Sequence, residues 1–92
     1  MDIYSKIVSK IIEQQESIIG PIAIEQARRV AELKVDWSSR QVDLTGDPQK
    51  VVNELVEQYK ELFGQIAVET CKDAVQTLIA ELPQEKVPQT LK

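Results

Sequence analysis

The chain has no histidine, one cysteine, one tryptophan, one phenylalanine and two tyrosines in 92 residues. Each scarcity excludes something. Without histidine there is no imidazole to serve as general base or metal ligand, which removes Ser-His and Cys-His nucleophile pairs. Cys71, alone, cannot close an intramolecular disulfide, so a reducing cytoplasm is the expected setting. With aromatics at 4%, the core must be aliphatic, built from Ile, Val, Leu and Ala. No unbroken apolar run comes near the ~20 residues that span a bilayer. Nor does a basic segment lead into an apolar stretch behind Met1-Asp2, so no signal peptide is expected. There is no Gly-rich phosphate loop and no metal-ligand spacing. No catalytic residue, cofactor or metal is therefore expected.

What is present is acidic. The formal net charge is −4, with six Lys/Arg against seven Asp/Glu in residues 1–46 and five against eight in 47–92. Proteins that hold nucleic acid draw affinity from counterions displaced by clustered Lys and Arg, so this balance disfavours nucleic acid and anionic membranes. The one basic concentration is Arg28-Arg29 with Lys34 and Arg40. It leaves a DNA-associated regulatory protein as the alternative, since IIGPIAIEQARR superficially resembles a helix–turn–helix. Two features count against that alternative. Arg29 becomes Asp73 in the related stretch described below, and the second helices open on apolar residues where a reader would present polar ones.

Hydrophobic periodicity organises the chain. Ile3, Ile7, Val8, Ile11, Ile12, Ile18 and Ile19 share one helical face, and Gly20-Pro21 ends that helix. A second helix is expected from about 21 to 32, with Ile24, Ala27, Val30 and Ala31 inward. The period then falls to two in LKVDW (33–37) and QVDLT (41–45), which predicts a β-hairpin turning near Ser39-Arg40. Pairing Val35 with Leu44 and Trp37 with Val42 puts the apolar residues on one face, and sets Asp36 opposite Asp43 on the other. Ser-Arg is poor for a two-residue turn, so a four-residue loop is the alternative. Asp47-Pro48 starts a third helix through Val51, Val52, Leu55, Val56, Tyr59, Leu62 and Phe63. Gly64 breaks it, and a fourth helix runs to Leu82 before Pro83.

The chain also repeats itself. Sliding residues 6–32 onto 50–76 without a gap matches Lys6/Lys50, Glu13/Glu57, Gln14/Gln58, Gly20/Gly64, Ile22/Ile66, Ala23/Ala67 and Glu25/Glu69 outright. Most other pairs keep their type, such as Ile18/Leu62 and Ile19/Phe63. This spells a helix–Gly–helix unit used twice around the hairpin. One unit alone exposes a broad apolar stripe; two facing each other about an approximate two-fold would share one core. The expected fold is thus α+β, mainly α, in the order α-α-β-β-α-α with a pseudo-two-fold. A single domain spans 1–83, with a first unit at 3–32, the hairpin at 33–46 and a second unit at 47–82. Residues 84–92 form a flexible tail.

Five residues stand out structurally. Gly20 and Gly64 are the hinges, Trp37 anchors the hairpin, and Gln15 is a polar residue in the middle of an apolar stripe. Its counterpart in the second unit is Tyr59, so a Gln15–Tyr59 hydrogen bond near the pseudo-axis is expected. Cys71 has Ala27 as counterpart, which points to a buried, inert thiol. A 92-residue chain with so many apolar faces is expected to be a small cytoplasmic interaction module with a protein partner, most simply a homodimer.

Overall fold

The computed structural model describes residues 2–92. Helix α1 (Ile3–Ile19) and the short α2 (Ile22–Ala27) come first, followed by strands β1 (Leu33–Asp36) and β2 (Gln41–Leu44). Helices α3 (Pro48–Phe63) and α4 (Gln65–Ile79) close the order α-α-β-β-α-α. Asp2 caps α1 by accepting from the Ser5 backbone N–H at 2.9 Å, and Asp47 caps α3 by accepting from that of Gln49 at 3.0 Å. Pro48 occupies the first turn of α3, where its missing N–H is not needed.

The core is aliphatic. Ile7, Val8, Ile11 and Ile12 of α1 and Val51, Val52, Leu55 and Val56 of α3 are inaccessible or nearly so. All of these but Leu55 are β-branched and indifferent helix formers, so packing more than propensity holds both helices. The four helices pack crosswise: α1 lies against α4 as well as α2, and α3 against α2 as well as α4.

Gly20 and Gly64 sit between helices. Their backbones are nearly the same, at φ 77°, ψ −157° and φ 74°, ψ −161°. This region is open essentially to glycine alone. Each glycine N–H also closes its helix on the carbonyl four residues back, Glu16 and Lys60.

Four expectations are corrected. Helix α2 ends at Ala27 rather than near 32. Tight turns, with Arg29 N–H on Gln26 and Val30 N–H on Ala27, replace its last part and bring Val30 into the core while leaving Ala31 exposed. The chain has to reverse there to feed β1. The hairpin register is shifted by two residues: Leu33 faces Leu44 and Val35 faces Val42. An even shift keeps every side chain on its expected face, which is why the apolar alternation does not distinguish the two registers. It does change the outer face, where Lys34 opposes Asp43 and Asp36 opposes Gln41, so the like-charge pair disappears. Trp37 consequently leaves the ladder and opens a four-residue loop closed by Arg40 at φ 59°.

Third, the hairpin, whose apolar face of Val35, Trp37, Val42 and Leu44 is expected to lie over one end of the four-helix core, packs instead on the first two helices, with β2 on α1 and β1 on α2. Fourth, the tail is part of the packing. Two 3₁₀ turns, Gln84–Lys86 and Gln89–Leu91, place Val87, Pro88 and Leu91 in the interior against α3 and α4. The Thr90 N–H and hydroxyl both donate to Asn53 Oδ1, at 2.9 and 2.8 Å, and the Tyr4 hydroxyl donates to the Lys86 carbonyl at 2.8 Å. The tail's polar composition hid three well-spaced apolar anchors. They cover the end of the bundle where α1 and α3 begin, and the radius of gyration of 11.7 Å matches the ~12 Å of a chain this long with nothing trailing.

Two substitutions test these assignments. Leu91→Ala, at 6% exposure, should lower stability by about 2–3 kcal/mol in urea unfolding, where a loose tail would give no change. Gly64→Ala should cost about 1–3 kcal/mol from backbone strain, because an added Cβ meets nothing within 4 Å.

Candidate interaction surface

The two glycine turns lie where α1 and α3 end; among the described residues the tail packs where those helices begin, and the hairpin reaches this end only at Glu16, through Trp37 and Arg40. The stripe residues of the last helical turns therefore run past the core. Ile18 (54%), Leu62 (47%) and Phe63 (41%), expected inward, are exposed, as are Ile22 (38%) and Ile66 (70%) from the first turns of α2 and α4. These are all the large exposed apolar side chains among the described residues. All seven residues from Lys60 to Ile66 face solvent. A groove of about 170 Å³ separates the two turns, walled by Ile18, Ile19, Phe63 and Ile66 with Gln15, Ala67 and Thr70 beneath.

The buried polar groups below the groove differ from expectation. Gln15 and Tyr59 are both buried, at 2% and 0% exposure, but do not bond to each other. The Tyr59 hydroxyl donates to the Ala23 carbonyl at 2.7 Å. Gln15 Nε2 donates to Thr70 Oγ1 at 2.9 Å, and that hydroxyl donates on to the Ala67 carbonyl at 2.9 Å. Ala23 and Ala67 are themselves 44 positions apart. Each polar residue thus reaches the opposite helix pair at corresponding carbonyls, the long tyrosine directly and the shorter glutamine through a threonine.

Cys71 lies alongside and is fully buried, its Sγ accepting a long 3.5 Å contact from Gln15 Nε2. Burial pushes the thiol up to about 12, outweighing the Gln15 contact, which works the other way. Burial also raises the Tyr59 phenol, with a smaller contribution from the neighbouring Cys71. A thiol so far from ionisation, with no base at hand, is not a nucleophile at neutral pH.

Trp37 is 9% exposed and tied down. Its Nε1 donates to Glu16 Oε1 at 3.0 Å, Arg40 Nη1 donates to the same oxygen at 3.1 Å, and the Arg40 guanidinium lies over the indole 4.5 Å from the ring centre. The Trp37 bond, then the Arg40 bond and charge, hold the Glu16 carboxyl below its ordinary range. Trp37 therefore anchors the hairpin to α1 rather than offering itself to a partner. The chemistry elsewhere is sparse. Among the described residues no group of three or more His, Cys, Asp or Glu is placed to hold a metal, and no helix is long and apolar enough to cross a membrane. A wider depression of about 310 Å³ between α1 and α4 is open, and its Lys10 already pairs with Glu13 at 3.7 Å. Arg28 and Arg29 are exposed, but they lie in the turn beyond the six-residue α2 and not on a projecting helix.

Sequence reasoning placed the two glycines, the buried Gln15 and Tyr59, and the buried thiol. It missed the groove, because a wheel shows which face is apolar and not where the facing element stops. Comparison with known proteins adds no group to which the chain belongs: no family model, curated protein or solved structure matches it.

The raised thiol sets a pH window. Below pH ~8.5 neither the folded nor the unfolded thiol ionises; between there and 12 only the unfolded one does. Unfolding then releases a proton, so stability falls with pH, by about 1.4 kcal/mol per unit from this group. Tyr59 adds to the fall from about pH 10 upward. Urea unfolding from pH 8 to 10 should show the decline, and Cys71→Ala should flatten it.

Proposed function

We propose that this protein is a small, non-catalytic, cytosolic protein–protein interaction module that docks through the apolar surface around Gly20 and Gly64. The observation that carries the reading is the confinement of all large exposed apolar side chains of the described residues to that one end. Scattered exposed hydrophobes are ordinary, whereas a contiguous set rimmed by polar residues marks a place where a partner sits. The rim here is polar and mostly acidic, with Glu25, Glu57, Glu61, Gln65 and Glu69 exposed around Lys60.

The absence of a histidine, the inert Cys71 thiol and the lack of converging ionisable groups at the groove support a binding role over a chemical one. The groove takes one or two aliphatic or aromatic side chains, the usual anchors of a protein partner.

A photo-crosslinking amino acid placed at position 66 should give a covalent protein adduct in cells at expression levels near those of the natural chain. The same group at position 76, exposed on α4 away from the groove, should give none. Equal labelling at both positions, or none at either, would remove the docking reading.

A further inference from the structure

We infer that the partner on this surface is a second copy of the chain, in a two-fold contact that sets the ridge of each copy into the groove of the other. The inference rests on the docking reading above and adds the occupant.

Three observations carry it. The first is shape. Ile18, Ile19, Phe63 and Ile66 wall the groove, while Leu62 and Ile22, exposed nearby, stand outside that wall. A surface with both a hollow and protruding apolar side chains can complement itself under a two-fold, since the side chains of each copy can fill the hollow of the other. The second is composition. The surface comes from corresponding pieces of two helix–glycine–helix turns, Ile18 with Leu62, Ile19 with Phe63 and Ile22 with Ile66. The surface therefore offers a second copy aliphatic and aromatic side chains of the same kinds as those it presents.

The third is area. From their fractional exposures, the five exposed side chains offer roughly 450 Å² per copy, so a pair buries about 900 Å² before Pro21, Gln65 and the rim are added. With those residues the total reaches the ~1,000 Å² at which specific contacts begin. It stays well short of an obligate interface, so the expected dimer is weak and reversible.

Charge fixes the sign of its salt dependence. Each copy carries −4, and around the surface Glu25, Glu57 and Glu61 outnumber Lys60, with Glu69 paired to Lys72 at 3.8 Å. Association is driven by apolar burial against like-charge repulsion, so screening must help it. A basic amphipathic helix on the same groove would behave oppositely.

Sedimentation equilibrium of the full chain, from about 5 µM to 1 mM, tests this. The expected result is a monomer–dimer equilibrium that tightens at least threefold from 50 to 500 mM NaCl. Ile66→Glu and Ile66→Lys should both weaken it tenfold or more, with thermal midpoints unchanged because Ile66 lies outside the core. Gln76→Glu, with the same charge change as a control on exposed α4 surface, should leave it within twofold. The lysine variant is the sharper one, since it reduces the repulsion yet removes the apolar anchor. A monomer at 1 mM, a dimer indifferent to both Ile66 variants, or one strengthened by Ile66→Lys would overturn the inference. A monomer whose position-66 crosslinks lead to a different protein would overturn it too, while leaving the docking reading intact.

Discussion

Two buried polar side chains fix how the helix pairs meet. Packing among Ile, Val and Leu is strong but poorly directional, and faces this uniform can slide against each other at small cost. Tyr59 and Gln15 remove that freedom. The tyrosine hydroxyl must reach the Ala23 carbonyl and the glutamine amide must reach Thr70, for otherwise each would be buried without a partner. One bond runs from the second helix pair to the first and the other from the first to the second, so together they set the crossing from both sides. Cys71 fits beside them because the site asks only for something small and apolar there.

The same arrangement explains why the two ends of the bundle differ. Where α1 and α3 begin, the tail folds back and supplies Val87, Pro88 and Leu91 as a lid, held by the paired Thr90 bonds to Asn53. Where they end, the glycines turn the chain sharply enough that the last helical turn of each rod outruns its neighbours. Ile18, Leu62 and Phe63 belong to the core-facing stripe by periodicity and to the surface by position. The apolar excess of the chain is thus concentrated at one end.

Much of the fold was legible because its signals are local. Gly20-Pro21, Asp47-Pro48 and Gly64 announce boundaries through backbone chemistry that acts within a few residues, and the change of period from 3.6 to 2 announces the hairpin. What was not legible depends on neighbours distant in sequence. The register of β1 on β2 is not set by the apolar alternation, since an even slip leaves the pattern unaltered. The partner of Gln15 was misread because equivalence to Tyr59 suggested adjacency, whereas both reach across to the opposite second helix. The tail was misread because three apolar residues among polar ones look like little until α3 and α4 offer them a place. The groove depends on where elements stop, and no periodicity encodes that.

The hairpin loop has one further consequence. Its single indole is clamped between the Glu16 carboxylate and the Arg40 guanidinium, at the junction of the β-ribbon with the first rod. With no other tryptophan in the chain, its emission comes from this one junction. Lifting the ribbon would strip the indole of the Glu16 carboxylate and admit water, so the wild-type molecule carries its own optical gauge of whether that ribbon is seated.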